Sequence, residues 1–361
     1  PHSAQLVDAY HRRASRLHEK YDCYLGRSRI ATLTSARDGR EGCVYCGRCL
    51  WGCPASALYT PSITLRECLT YPNFNYRPRY FVSHFTHNAQ HQIEKIIIND
   101  DGQEDEFDVA GDRVVLAAGT LSSAKILLES VRRSTGEMVK LHGLMDNRQV
   151  LVPFVNPRML GEQCTTESYQ YHQLAIGIAG ERKEEYIHGQ ITTLKSAVIH
   201  PIIANVPLSL RASIFAFRNV RAGLGVVNLN LCDRRREGNY VGLERDSVRG
   251  GTKLSIQYAP ADNEPAVIDR AVKTVKSVLG DLGCFVPPGM VHVRPMGASV
   301  HYTGTLPMSA ERKPYTTSKY GQSHDFENLY FVDGTTFPFL PAKNVTFTLM
   351  ANAMRIADQA F

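Results

Sequence analysis

A mixed α/β fold is the class this sequence predicts, and three features carry it. Arg113-Val-Val-Leu-Ala-Ala-Gly119 is a compact apolar run that ends at glycine, and Thr120-Leu-Ser-Ser123 then opens a helix through Ala124, Ile126, Leu127 and Leu128. Strand, small-residue turn and helix make half of a βαβ unit. From about Leu151 the character changes to alternating segments, among them Leu174–Ile178, Val227–Leu231 and Leu254–Tyr258. That pattern predicts a mostly antiparallel sheet with one polar face. Helices with an apolar stripe lie outside these strands. Leu6, Tyr10, Ala14, Leu17 and Tyr21 recur at helical spacing in residues 3–21, and Pro265 opens a second helix with Ile268, Ala271, Val275, Val278 and Leu279 on one side. Gly280 or Gly283 can end it, and a final helix is expected from Asn344 to the C-terminus.

The remaining segments follow from local chemistry. Arg37 to Pro54 is rich in Gly and Cys and lacks periodicity, which predicts a structured loop. Tyr80–Asn88 and Glu94–Val109 read as strands around the polar turn at 99–102, with the acidic run Gln103–Asp108 as a solvated hairpin edge. Gly223-Leu-Gly225 has two of the glycines of a phosphate loop but leads into alternating strand residues, so it is read as strand.

Composition excludes several function classes. At roughly 100–200 residues per domain, 361 residues predict two domains. A formal net charge of +6, from 41 basic and 35 acidic residues spread along the chain, contains no basic arm for nucleic acid. No apolar run approaches the ~18–20 residues of a membrane span. Pro1-His2-Ser3 shows neither a charged leader nor an apolar signal core, so the cytoplasm is the expected location. A start at Pro rather than Met leads us to expect a segment lost upstream, which leaves a periplasmic location open. Nine cysteines, four of them within eleven residues, do not form a secreted disulfide framework. Those four, Cys43-x2-Cys46-x2-Cys49-x3-Cys53-Pro54, have the spacing of a bacterial-ferredoxin-type iron–sulfur run. The competing reading is a set of reduced structural thiols.

Three blocks in the last sixty residues bear on function: Ser299-Val-His301-Tyr-Thr-Gly304-Thr305-Leu-Pro-Met308, Asn328-Leu-Tyr-Phe-Val-Asp333-Gly334, and Pro341-Ala-Lys-Asn344-Val-Thr-Phe-Thr-Leu-Met. In this order they resemble the C-terminal signature of the glucose–methanol–choline (GMC) flavoprotein oxidoreductases. Val114–Leu128 is similar to that family's internal strand-turn-helix, and Cys46-Gly-Arg-Cys49 resembles a cysteine-bearing loop of several branches. The resemblance implies FAD as cofactor and oxidation of a CH–OH group by proton abstraction and hydride transfer to flavin. It implies His301 as base and Asn344 as the second site residue, with Ala118, Gly119, Asp333, Gly334, Asn344 and Val345 along the cofactor. The chemistry agrees: an imidazole titrating near ~6.5 is suited to accept a hydroxyl proton near neutral pH, whereas an Asn cannot take it. Asn344 also reads as a helix N-cap, and Asp333-Gly334 as a simple turn.

The family's opening Gly-x-Gly-x-x-Gly turn is missing from these 361 residues. The sequence is therefore expected to be an incomplete FAD-binding domain, 1–150 with 291–361, around a substrate domain, 151–290, either truncated upstream or encoded apart from its nucleotide-binding piece, with a separate FAD-domain segment as partner in the second case. The expected substrate is a small primary or secondary alcohol. Sugar-like compounds are slightly favoured if Asn228 and Asn230 face the ligand rather than water. The electron acceptor (oxygen, quinone or cytochrome) stays open, and an iron–sulfur cluster would carry electrons outward. The alternatives are a catalytically inactive or split subunit and a non-redox flavoprotein lyase.

Overall fold

In the computed structural model, residues 2–47, 49, 52–100, 103–163, 172–180, 182, 185–193, 208–248 and 250–361 are described. Cys164 lies outside them. The chain divides into two compact units. One combines Pro1–Tyr76, Gln149–Leu231 and Asn263–Arg294; the other combines Arg77–Arg148, Cys232–Asp262 and Pro295–Phe361.

The first unit is built on a six-stranded antiparallel sheet in the order Cys23–Arg27, His172–Ile178, Ile187–Thr193, Leu224–Asn230, Gln149–Val155, His292–Val293. Its register places Val227 opposite Ile191 on one side and Val152 on the other, so apolar residues share one face. Helices cover that face: Leu6 and Leu17 near the N-terminus, and Val275 and Val278 of the helix Glu264–Asp281, are fully buried with Val152 and Val227. Each such side chain contributes roughly 1.5–3 kcal/mol by leaving water.

The helix expected over 3–21 is two helices, His2–His11 and Ala14–Tyr21. The break falls at Arg13, whose N–H turns to the Tyr10 carbonyl at 2.8 Å, one residue short of helical reach. The Glu264 helix ends at Gly283, not Gly280. Gly283 has φ +84, and the following Cys284 N–H returns to the Leu279 carbonyl at 2.8 Å.

Glycine at 225 serves packing. A Cβ there would stand 2.7 Å from Cε1 of the Phe154 ring, which is fully buried in the same core. The residue lies in the strand Leu224–Asn230, as its alternating neighbours imply. Gly225→Val is expected to lower stability by about 1–3 kcal/mol, because the ring has nowhere to go. A urea midpoint equal to that of the unchanged protein would refute this. Asn230, on the polar alternation, is buried and accepts from Gln149 Nε2 at 2.8 Å, so its side-chain oxygen is engaged within the sheet rather than presented to a ligand.

In the second unit the strand Val114–Leu116 pairs in parallel with Leu329–Phe331 and runs through Gly119 into the helix Thr120–Thr135. The helix buries Ala124, Leu127, Leu128 and Val131, the i, i+3, i+4, i+7 stripe legible in the sequence. Buried Glu129 on the same helix is held by Arg132 at 2.9 Å and by the Thr252 hydroxyl. Two three-stranded antiparallel sheets lie in the same unit. Phe81–His87, Ile93–Asp100 and Gln103–Asp108 form one, and its exposed acidic edge pairs with Lys95 and Arg133, as a solvated edge should. Thr252–Gln257, Tyr240–Arg245 and Lys140–His142 form the other.

These units run along other lines than the expected division into 1–150 with 291–361 and 151–290. Strand pairing is the reason. Cys23–Arg27 hydrogen-bonds to His172–Ile178, and Tyr240–Arg245 to Lys140–His142, which joins segments that are far apart in sequence. The last helix is Thr346–Ala360, two residues later than expected. Among the described residues no helix is long and apolar enough to cross a membrane.

Candidate active site

His301 lies in a loop tied down by two adjacent residues of a distant segment. The short strand Met145–Asp146 pairs with Tyr302–Thr303, setting Asp146 opposite Tyr302. Asp146 is buried, and its carboxylate accepts from the Gly297 N–H at 2.6 Å and the Ser299 hydroxyl at 2.5 Å. The Ser299 oxygen in turn accepts from the His301 N–H at 2.9 Å. Between them Val300 sits at φ +55, a left-handed conformation that β-branched residues rarely adopt. The anchors on either side hold it there, and such strain concentrates at functional sites.

The imidazole has its own partner. His301 Nδ1 lies 3.2 Å from Asn147 Oδ1, and Asn147 Nδ2 donates to the Pro341 carbonyl at 3.1 Å. Burial pushes the His301 pKa below the ordinary histidine value, opposed in part by the nearby Asp146 carboxylate. Burial raises the Asp146 pKa, against the hydrogen bonds from Ser299 and Gly297 that favour its charged form. Behind this pair the Asp146 N–H donates to Asp233 at 3.0 Å, and Asp233 also accepts from Tyr258 at 2.6 Å and Arg236 at 2.7 Å. The loop is thus fixed by a chain of buried polar contacts.

A second constellation joins Gly119 and Asp333. Asp333 is buried, and all four hydrogen bonds to its carboxylate come from within the chain: Gly119 N–H at 2.9 Å, Ser123 hydroxyl at 2.5 Å, Thr335 N–H at 3.0 Å and Thr335 hydroxyl at 2.6 Å. Its side chain therefore locks two turns together. Gly334 is tight for the same reason. A Cβ on it would stand 2.6 Å from the Thr120 hydroxyl and 2.9 Å from the Tyr302 carbonyl, so its glycine accommodates protein rather than ligand. Gly119 is the opposite case: φ is +89, nothing lies within 4 Å of where its Cβ would be, and Ala117 and Ala118 beside it are exposed. This turn, at the opening of the Thr120 helix, has room for an approaching group.

Asn344 is exposed, and the residue capping the last helix is Val345, which makes no side-chain cap. Val345 itself is buried against Met145 and Leu340. The side-chain partner the structure places on His301 is Asn147, not Asn344. The two segments are nonetheless linked, since Asn147 bonds Pro341, three residues before Asn344. Asn147 and Asp146 carry no motif. They follow the apolar pair Leu144-Met145, and nothing in their spacing from His301 signals the contact.

Cys43, Cys46, Cys49 and Cys53 are free thiols, with Cys46 exposed and the other three partly buried. Burial raises the Cys49 pKa, and the neighbouring Cys43, Cys46 and Cys53 add to the shift. These neighbours are in electrostatic reach, but among the described residues no three Cys, His, Asp or Glu side chains are arranged to hold a metal ion. The cysteines as placed do not fit an iron–sulfur cluster.

Residues 235–353 match the family model of GMC oxidoreductase. A curated relative, the uncharacterized GMC-type oxidoreductase y4nJ of Sinorhizobium fredii (strain NBRC 101917 / NGR234), is 36% identical over 62 residues, covering 17% of this chain and 12% of that protein. Among solved structures, pyridoxine 4-oxidase from Mesorbium loti superposes with a TM-score of 0.61 at 14% identity, covering 99% of this chain and 69% of its own. An FAD-dependent oxidoreductase from Chaetomium thermophilum, solved with a bound butanamide fragment, gives 0.52 at 15% identity, with 84% of this chain and 63% of that one covered. At these identities the two structures establish a shared fold.

Proposed function

We propose, from the match of residues 235–353 to the GMC oxidoreductase family model, that this chain takes part in the FAD-dependent oxidation of a primary or secondary alcohol. The observation that carries the reading is the His301 imidazole, half-buried, biased towards its neutral form and held by Asn147 and Ser299. A neutral imidazole in a fixed loop is suited to take the hydroxyl proton of a bound alcohol. The resulting imidazolium is offset by the Asp146 carboxylate, which raises the His301 pKa against burial.

FAD is the cofactor proposed, and when bound it supplies the hydride acceptor. Ala118 and Gly119, at the open turn before the Thr120 helix, and Asn344, at the start of the last helix, are the residues that would lie along it, with Val345 packed behind Asn344. Asp333 acts one step back, by holding the Gly119 turn in place. The pyrophosphate-binding glycine turn is proposed to come from a segment outside these 361 residues. The exposure of Phe347 (82%) and Met354 (67%) on the Thr346–Ala360 helix supports a covering partner there. The cysteine run has no part in the proposed reaction.

The test is anaerobic mixing of the FAD-loaded protein with a panel of alcohols, followed by flavin absorbance. Bleaching by at least one alcohol is expected. Its rate should fall at low pH as His301 is protonated. Because the pKa is lowered, that loss should be centred below the ordinary histidine value of 6.5. Bound flavin that no alcohol bleaches would overturn the reading.

A further inference from the structure

The orientation of the Asn147 amide decides which nitrogen of His301 can act. At the side-chain end of Asn147 one atom lies 3.1 Å from the Pro341 carbonyl and the other 3.2 Å from His301 Nδ1. A backbone carbonyl only accepts, so the amide nitrogen must face Pro341. Turning the amide over would set two acceptor oxygens 3.1 Å apart. With the nitrogen committed, the oxygen faces His301. An amide oxygen also only accepts, so Nδ1 must carry the proton.

We infer that Asn147 is a positioning residue which holds His301 in the Nδ1–H tautomer, leaving the Nε2 lone pair to receive the substrate proton. A second contact fixes the same ring from the backbone: the His301 N–H is bound by Ser299, which Asp146 anchors. Asp146 and Asn147 are adjacent, so one two-residue segment sets both the loop and the tautomer. A neutral amide suits the task. It directs the proton to Nδ1 as a carboxylate would, without adding a second negative charge to that of the nearby Asp146. After proton transfer to Nε2, the Nδ1–H bond to Asn147 becomes charge-assisted and strengthens.

This inference rests on the reading of His301 as base for its catalytic meaning, but its structural content is tested without turnover. Protein labelled with ¹⁵N at histidine gives His301 ring signals, assigned by their loss in His301→Ala. A pyrrole-like Nδ1 and a pyridine-like Nε2 at neutral pH are expected. The reverse pattern in the unchanged protein would overturn the inference, whatever the variants do. In Asn147→Leu the preference should disappear, with flavin reduction slowed about 10- to 100-fold, by analogy with the loss of an outer partner that orients a metal-ligating histidine. Asn147→Asp should keep the Nδ1–H pattern and shift the low-pH loss of rate to higher pH, a change that a merely structural residue would not produce. An unmoved pH profile in a folded Asn147→Asp would count against it. If instead the tautomer is as inferred while His301→Ala reduces flavin normally, the base assignment fails and the orientation of the ring stands.

Discussion

His301→Ala is expected to slow reduction of bound flavin by alcohol about 10²–10⁴-fold, the range associated with a general base. Affinity for the cofactor should be little changed, because the contacts that shape the Gly119 turn come from Asp333 and Ser123 and not from the imidazole. The His301 N–H contact to Ser299 is made by the backbone and survives the substitution, so the loop keeps its anchor on Asp146. Loss of rate with retained flavin and an unaltered melting temperature therefore isolates the proton-transfer role. A reduction rate within a few-fold of the unchanged protein would remove His301 from the mechanism.

Asp333→Ala should act on stability first. The carboxylate accepts four hydrogen bonds inside the chain, two from the Gly119–Ser123 turn and two from Thr335, and it is buried. Hydrogen bonds to charged groups are worth about 1.5–3 kcal/mol each, and their donors would be left buried without a partner. A net loss of about 3–5 kcal/mol is expected once relaxation is allowed for, enough to lower the melting temperature by on the order of 10 °C. Asp333→Asn should also be clearly destabilising, since its amide NH₂ would face donors on one side. A direct flavin contact would behave otherwise, weakening cofactor binding while leaving the melting temperature of the cofactor-free protein in place. That result would restore the role first suggested for Asp333.

Much of the fold was legible because its signals are local. The Thr120 helix and its glycine turn, the acidic edge strand and the Pro265-initiated helix all appear where period and punctuation put them. The misplacements are local too. The N-terminal helix breaks at Arg13 with neither Gly nor Pro to announce it, and the last helix starts at Thr346 rather than Asn344. The cysteine spacing matches an iron–sulfur run, yet spacing constrains only how far apart ligands are along the chain. Convergence on one point depends on the backbone path between them, and here that path does not supply it.

The chain alone determined the secondary-structure classes, the apolar stripes that must be buried, and the family-like blocks around His301, Asp333 and Asn344, because each is a property of neighbouring residues. Only the tertiary structure decided which residues serve those blocks. Asn147 reaches His301 across 154 positions, and Gly119 reaches Asp333 across 214. A hydrogen bond between such distant residues leaves no periodic trace in a single sequence. It exists because strand pairing at Met145–Asp146 with Tyr302–Thr303, and at Val114–Leu116 with Leu329–Phe331, brings their ends together.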